Sequence, residues 1–222
     1  MKKSILFLFV VISIGAQAQL SQTDIANGLK EALNKGIAKA ADSLSKADGY
    51  FKNPKIKIPF PPDAQKMDKA LRDIGMGSEV DNFIMTLNRG AEDAAKQVQP
   101  IFIDAIKNLS ITDVMSILNG QPDAATQYLK KTTSAKLQTA FKPIIKTSLD
   151  KVGATKNYST LATKYDKIPF VKKVNPDLVA YTTDLAIQGL FTVIADEEKK
   201  IRANPAAQTS DLLKKVFGSL IK

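Results

Sequence analysis

The sequence predicts an all-α protein, a single compact bundle of roughly eight to ten helices with one Pro-rich extended segment. Three observations carry that expectation. Apolar residues recur three and four positions apart through most of the chain, the spacing that lines one helix face. The breaks between these stripes carry Ser or Thr on one side and Gly or Pro on the other, the usual helix starts and stops. No segment gives a convincing β signature. With 222 residues, 44% of them hydrophobic, the chain is long enough to bury a substantial core in one domain.

The elements follow in order. Met1-Lys2-Lys3 is a basic start, Ser4 to Ile14 an almost unbroken apolar run, and Ala16-Gln17-Ala18 the small-x-small pattern that signal peptidase reads. The run is about half of the roughly 20 residues a spanning helix needs. Residues 1–18 are therefore expected to be a cleaved signal peptide, and 19–222 one helical domain exported to the periplasm or, alternatively, secreted. No Cys follows the run, which excludes a lipid anchor. No later segment is expected to span a membrane.

Ser21 with Asp24 resembles a capping box, and Ile25, Leu29, Leu33, Ile37 and Leu44 carry a first helix to about Lys46. Ile56, Ile58 and Phe60 then alternate as in a strand, but Pro59, Pro61 and Pro62 argue for an extended segment across the bundle. A second helix starts at Pro62-Asp63 and stops at Gly75 and Gly77. Ser78 with Asp81 is expected to cap a third, whose stripe runs from Val80 to Val98. Pro100 suits the first turn of a fourth, and Thr112 is expected to cap a short fifth. Pro122-Asp123 opens a long helical region that reaches Val152 and stops at Gly153, and Pro143 inside it is expected to kink it, because its ring and missing N–H disrupt one backbone bond. A short helix near Thr155 to Tyr165, a long one from Asn175-Pro176 to about Arg202, and a last one near Ser210 to Phe217 complete the set. The tetrapeptide Lys57-Ile58-Pro59-Phe60 recurs as Lys167-Ile168-Pro169-Phe170, short enough to be coincidence or two similar helix exits.

Composition excludes much chemistry. The chain has no Cys, His or Trp. Nucleophile pairs built on His or Cys are impossible, as are zinc, haem and iron–sulfur sites with their usual ligands. No metal site, cofactor or catalytic residue is assigned. The net charge of +10 falls to +8 once Lys2 and Lys3 leave with the leader, and it is unevenly spread. Between Leu129 and Asn175 eleven lysines face only Asp150 and Asp166. Lys136, Lys142, Lys146, Lys172 and Lys173 make the candidate basic surface, and the first three point away from the helix face of Leu137, Phe141, Ile144, Ile145 and Val152. Lys rather than Arg suits diffuse attraction to anionic lipid or envelope glycan, or simply a solvated face. Nucleic acid is not an expected partner.

Glu197 falls within the wide apolar arc of the late helix. A carboxylate there must pair, hydrogen-bond or become neutral, with Arg89, Arg72 or Arg202 as candidate partners. It could be an acid/base or ligand-orienting group, or a carboxylate that meets a surface cation where the helix leaves the core. Asn88 and Glu92, an i,i+4 polar pair beside an apolar stripe, are a second candidate, with a cross-helix hydrogen bond as the structural alternative. Glu197, Arg89, Asn88 and Glu92 are thus the ligand-binding candidates.

The order of motifs resembles the bacterial envelope family catalogued as domain of unknown function 4197. The resemblance rests on Leu20-Ser21-x-x-Asp24-Ile25, Asn53-Pro54 with Ile56-x-Ile58-Pro59, and Asn88-Arg89-x-Ala91-Glu92. It continues through Asp123-Ala124-Ala125-Thr126 and Gly189-Leu190-Phe191, then Glu197-Glu198-Lys199-Lys200-Ile201-Arg202 and Asp211-Leu212-Leu213. It implies a helical Gram-negative envelope protein and no activity. The expected function is a non-enzymatic periplasmic protein that binds an anionic or amphipathic envelope ligand. The alternatives are an envelope scaffold acting through protein partners and an acid/base enzyme using Glu197.

Overall fold

The computed structural model describes residues 21–73, 75–165 and 177–203. Among them are eight α-helices and no strand: α1 (Gln22–Leu44), α2 (Gln65–Asp73), α3 (Gly77–Ala95), α4 (Val98–Lys107), α5 (Ile111–Leu118), α6 (Ala124–Lys151), α7 (Ala154–Tyr165) and α8 (Leu178–Ala203). A 3-10 turn, Pro62–Ala64, leads into α2. The expected signal peptide, the second Lys-Ile-Pro-Phe copy and the last expected helix lie outside the described residues.

The all-α expectation holds, and local chemistry explains most boundaries. Ser21 and Asp24 form the reciprocal capping box that starts α1. Two caps differ from expectation. The fifth helix is capped by Ser110 with Asp113, not by Thr112, because Ser110 has the extended backbone a cap needs. Ser78 and Asp81 do not cap α3: Ser78 donates to Glu79, and Asp81 instead accepts from Arg72 Nη2 at 2.8 Å. α6 ends at Gly153, whose φ of +68° suits a residue without a Cβ. Within α6, Pro143 and Thr139, whose carbonyl it deprives of a donor, both lie on the exposed side.

Packing follows the stripes. α6 buries Leu129, Leu137, Phe141, Ile145 and Leu149 against α3, α4 and α8. Val152, expected on this face, is 60% exposed, because the helix has ended before it. Gly90 of α3 faces Ile145 and Ser148 of α6, where a Cβ would make ordinary van der Waals contact at 3.7–3.8 Å. α8 is the inner helix, packed on α1, α3, α6 and α7. Its buried Thr182 and Thr183 donate to carbonyls one turn back, so their hydroxyls are satisfied. By length and composition α8 could cross a membrane, contrary to the expectation for segments after the leader, yet 56% of its most apolar stretch is buried inside the bundle.

Residues 45–61, a strap of turns and irregular backbone, join α1 to the 3-10 turn and bury Tyr50, Ile56, Ile58 and Phe60 in the core. The Tyr50 hydroxyl donates to Ala186 O at 2.8 Å. Burial and the nearby Glu92 charge push that hydroxyl's pKa far up, so it stays protonated.

Candidate functional site

Asn88, Arg89 and Glu92 do come together, and what they hold is the strap. All three sit on α3. Asn88, fully buried, accepts from Ile58 N at 2.8 Å and donates to Ile58 O at 2.9 Å and Ile84 O at 2.8 Å. Its amide therefore completes both backbone groups of a residue that has no strand neighbour. Glu92 Oε1 accepts from Tyr50 N at 3.1 Å and Phe51 N at 3.2 Å, and its Oε2 from Arg89 Nη1 at 2.6 Å. Arg89 Nη2 continues to Asp48 Oδ1 at 2.7 Å. Lys52 and Arg89 hold the Asp48 carboxyl below the usual range, and Asp48 itself has φ +72°. The i,i+4 spacing of Asn88 and Glu92 thus matches two stretches of strap backbone rather than a substrate.

Glu197 lies elsewhere, near the C-terminal end of α8, and none of the three expected arginines reaches it. Its Oε2 meets Lys39 at 2.7 Å and its Oε1 Lys200 at 2.7 Å. Arg89 is committed to Glu92 and Asp48, and Arg72 to Asp68 and Asp81. Arg202 serves Glu198. Burial pushes the Glu197 carboxyl up, but the two ammonium groups outweigh it and the net value lies below normal. A carboxylate held ionised is a poor proton donor near neutrality.

The adjacent Glu198 does more structural work and was not singled out from sequence. Its Oε1 accepts from Ala125 N at 3.0 Å and its Oε2 from Thr126 N at 2.8 Å and Thr126 Oγ1 at 2.7 Å. A carboxylate thereby caps α6 at its positive end. Arg202 meets Glu198 Oε1 at 2.9 Å and also donates to Ile117 O at 2.9 Å, at the negative end of α5. The i,i+4 spacing of Glu198 and Arg202 was a visible signal, but the two helix ends it joins are 72 and 85 residues away in the chain. The crevice beside this pair, between Leu29, Gly36 and Ile201, has about 20 Å³, room for one water.

Lys136, Lys142 and Lys146 of the expected basic face are all exposed, and two of them are paired. Lys136 pairs with Asp104 at 2.6 Å and Lys146 with Asp150. Lys142 is exposed, with no ion pair among the described residues. Lys172 and Lys173 lie outside the described residues.

Another apolar space among the described residues lies at none of these places. Between the strap, α2, α3 and α7 lies a cleft of about 560 Å³ lined by Phe60, Leu71, Met76, Val80, Phe83 and Tyr158, with Glu79 and Asn157 also bordering it. Phe83 stacks on Tyr158 with centroids 5.8 Å apart, and Phe60 lies 5.2 Å from Phe83. Its residues come from four separate parts of the chain, and no sequence spacing announces it. Among the described residues no group of three acidic, His or Cys side chains could hold a metal ion.

No curated protein and no solved structure matches the chain. A family model described as a protein of unknown function, DUF4197, matches residues 19–218, nearly the whole length. Several of the runs that carried the resemblance meet at the strap: Asn88, Arg89 and Glu92 bind it, Ile58 is bound, and Gly189 faces Tyr50 and Ile56. With the family model matching residues 19–218, the chain belongs to the DUF4197 family.

Proposed function

We propose that this protein is a non-enzymatic, exported binding protein of the periplasm, which takes the apolar part of an amphipathic envelope ligand into the cleft around Phe60, Phe83 and Tyr158. The cleft carries this reading: its volume of about 560 Å³ is within the range of small-molecule sites, and its lining is mostly apolar and aromatic. The polar groups that an enzyme reading would need are already engaged. Glu197, Asn88 and Glu92 each hold another part of the fold. The excess of lysine between Leu129 and Asn175 supplies long-range attraction to anionic lipid or glycan surfaces, and the leader-like first 18 residues support export.

The test is binding of the apolar dye N-phenyl-1-naphthylamine, followed by its fluorescence. The wild type is expected to bind saturably. Met76→Glu introduces a carboxylate at a position already 38% exposed, so the fold tolerates it, and is expected to weaken binding by about tenfold or more. Glu197→Gln should bind as the wild type does. Equal binding by Met76→Glu, or no saturable binding at all, contradicts the cleft as the site.

A further inference from the structure

On the other side of the strap, against α8, lies a second and chemically different groove of about 320 Å³. Tyr181, Leu185, Gln188 and Thr192 form its α8 wall, at the spacing that stacks side chains along one helix face. Lys55, Lys57 and Pro59 of the strap form the facing wall. No acidic side chain lines it, whereas Glu79 lines the apolar cleft.

The polar inventory of this groove is specific. The Lys57 ammonium is held 4.3 Å from the centroid of the Phe51 ring and within electrostatic reach of the Asp81 carboxylate on α3, with which it makes no ion pair. Lys55 meets Asp196 at 2.6 Å, a surface pair that an incoming anion can displace. The Tyr181 hydroxyl donates to Pro59 O at 3.2 Å and the Thr192 hydroxyl to Gln188 O at 3.0 Å, which leaves lone pairs on both to accept. Gln188 is exposed and offers amide donors and a carbonyl. Lys55 and Lys57 thus border the groove on one wall, and two hydroxyls and an amide on the other, with both ammonium groups able to turn toward a bound anion.

We infer that this groove binds an anionic polyol, a phosphate-bearing sugar or glycerol group, with the phosphate at Lys57 and Lys55 and the hydroxyls along Tyr181, Gln188 and Thr192. The inference does not depend on the apolar cleft, although a ligand with both an apolar part and such a group would suit both sides of the strap.

NMR titration of the purified protein with glucose 6-phosphate, with glucose as the uncharged control, tests the free form. Cosedimentation with phosphatidylglycerol vesicles, against phosphatidylcholine vesicles, tests the headgroup form. Saturable shifts at Gln188 and Thr192 with glucose 6-phosphate, weakened about fivefold or more by Lys57→Ala, would support a free sugar phosphate. Binding to phosphatidylglycerol vesicles alone, with the same dependence on Lys57, would support a lipid headgroup. Met76→Glu should leave both unchanged, so dye binding that is absent from the wild type or retained in full by Met76→Glu, with groove binding intact, counts against the cleft alone. No binding to either probe, equal shifts with glucose, or binding untouched by Lys57→Ala would overturn the groove.

Discussion

Glu197 and Glu198 are neighbours with opposite consequences. Both are mostly buried, but the lysines that meet Glu197 are 69% and 63% exposed and return to water at little cost when the carboxylate is removed. Glu198 cannot be removed so cheaply, because Arg202 is 15% exposed and the α6 N–H groups would lose their partner. Glu198→Ala is expected to lower unfolding free energy by about 3 kcal/mol, the usual cost of stranding a buried partner. Glu197→Ala should cost about 1 kcal/mol or less, as for pairs with exposed partners. Urea denaturation of the two variants checks the order, and equal losses would contradict it. Helical spacing placed Glu197 on the apolar arc correctly. It could not identify the partners, because Lys39 belongs to α1, more than 150 residues earlier in the chain.

At the scale of elements, helices were legible where local chemistry sets them and less so where tertiary contacts do. The α1 cap and the glycine stop of α6 depend on residues a few positions apart, and both follow from the sequence. The start of α3 does not, because Asp81 is drawn to Arg72 on another helix. The strap is the clearest case of tertiary control. Its side chains enter the core because α3 supplies hydrogen-bonding groups and α8 supplies space. That space is Gly189: a Cβ there would lie 2.9 Å from the Tyr50 ring and 3.1 Å from Ile56 Cβ. Gly189→Ala is therefore expected to destabilise the protein by about 2 kcal/mol through overpacking, despite the better helix propensity of Ala. Asn88→Ala should cost a similar amount, about 2 kcal/mol, by leaving the Ile58 backbone groups unsatisfied. Thermal or urea unfolding reads both effects, and a stabilising Gly189→Ala would contradict the close approach.

For the whole molecule, composition sets an unusual pH response. There is no His or Cys to titrate near neutrality. Glu197, Asp48 and Asp196 have folded-state values below their unfolded values of 4.5 and 3.8, so their contribution is complete above those values and is lost as pH falls through the folded ones. Tyr50 and Tyr181 shift the other way, Tyr181 to about 12 from 10.0, chiefly through burial. Their contribution is complete below pH 10.0 and is lost as pH rises through the folded values. The thermal midpoint should then be nearly flat from about pH 6 to pH 9 and fall on both sides. A distinct transition inside that window, in a calorimetric pH series, would contradict this.

Function was the least legible level. The lysine-rich stretch was visible as a count, but the partners of Lys136 and Lys146 and the two clefts beside the strap depend on how distant segments meet. The most direct measurement is native mass spectrometry of the wild type and Met76→Glu, each expressed with its first 18 residues in a Gram-negative host and purified without denaturation. A binding protein should carry a defined adduct that is lost on denaturation and absent from Met76→Glu. A bare polypeptide mass for the wild type, or an adduct that Met76→Glu retains in full, would contradict ligand binding at the cleft.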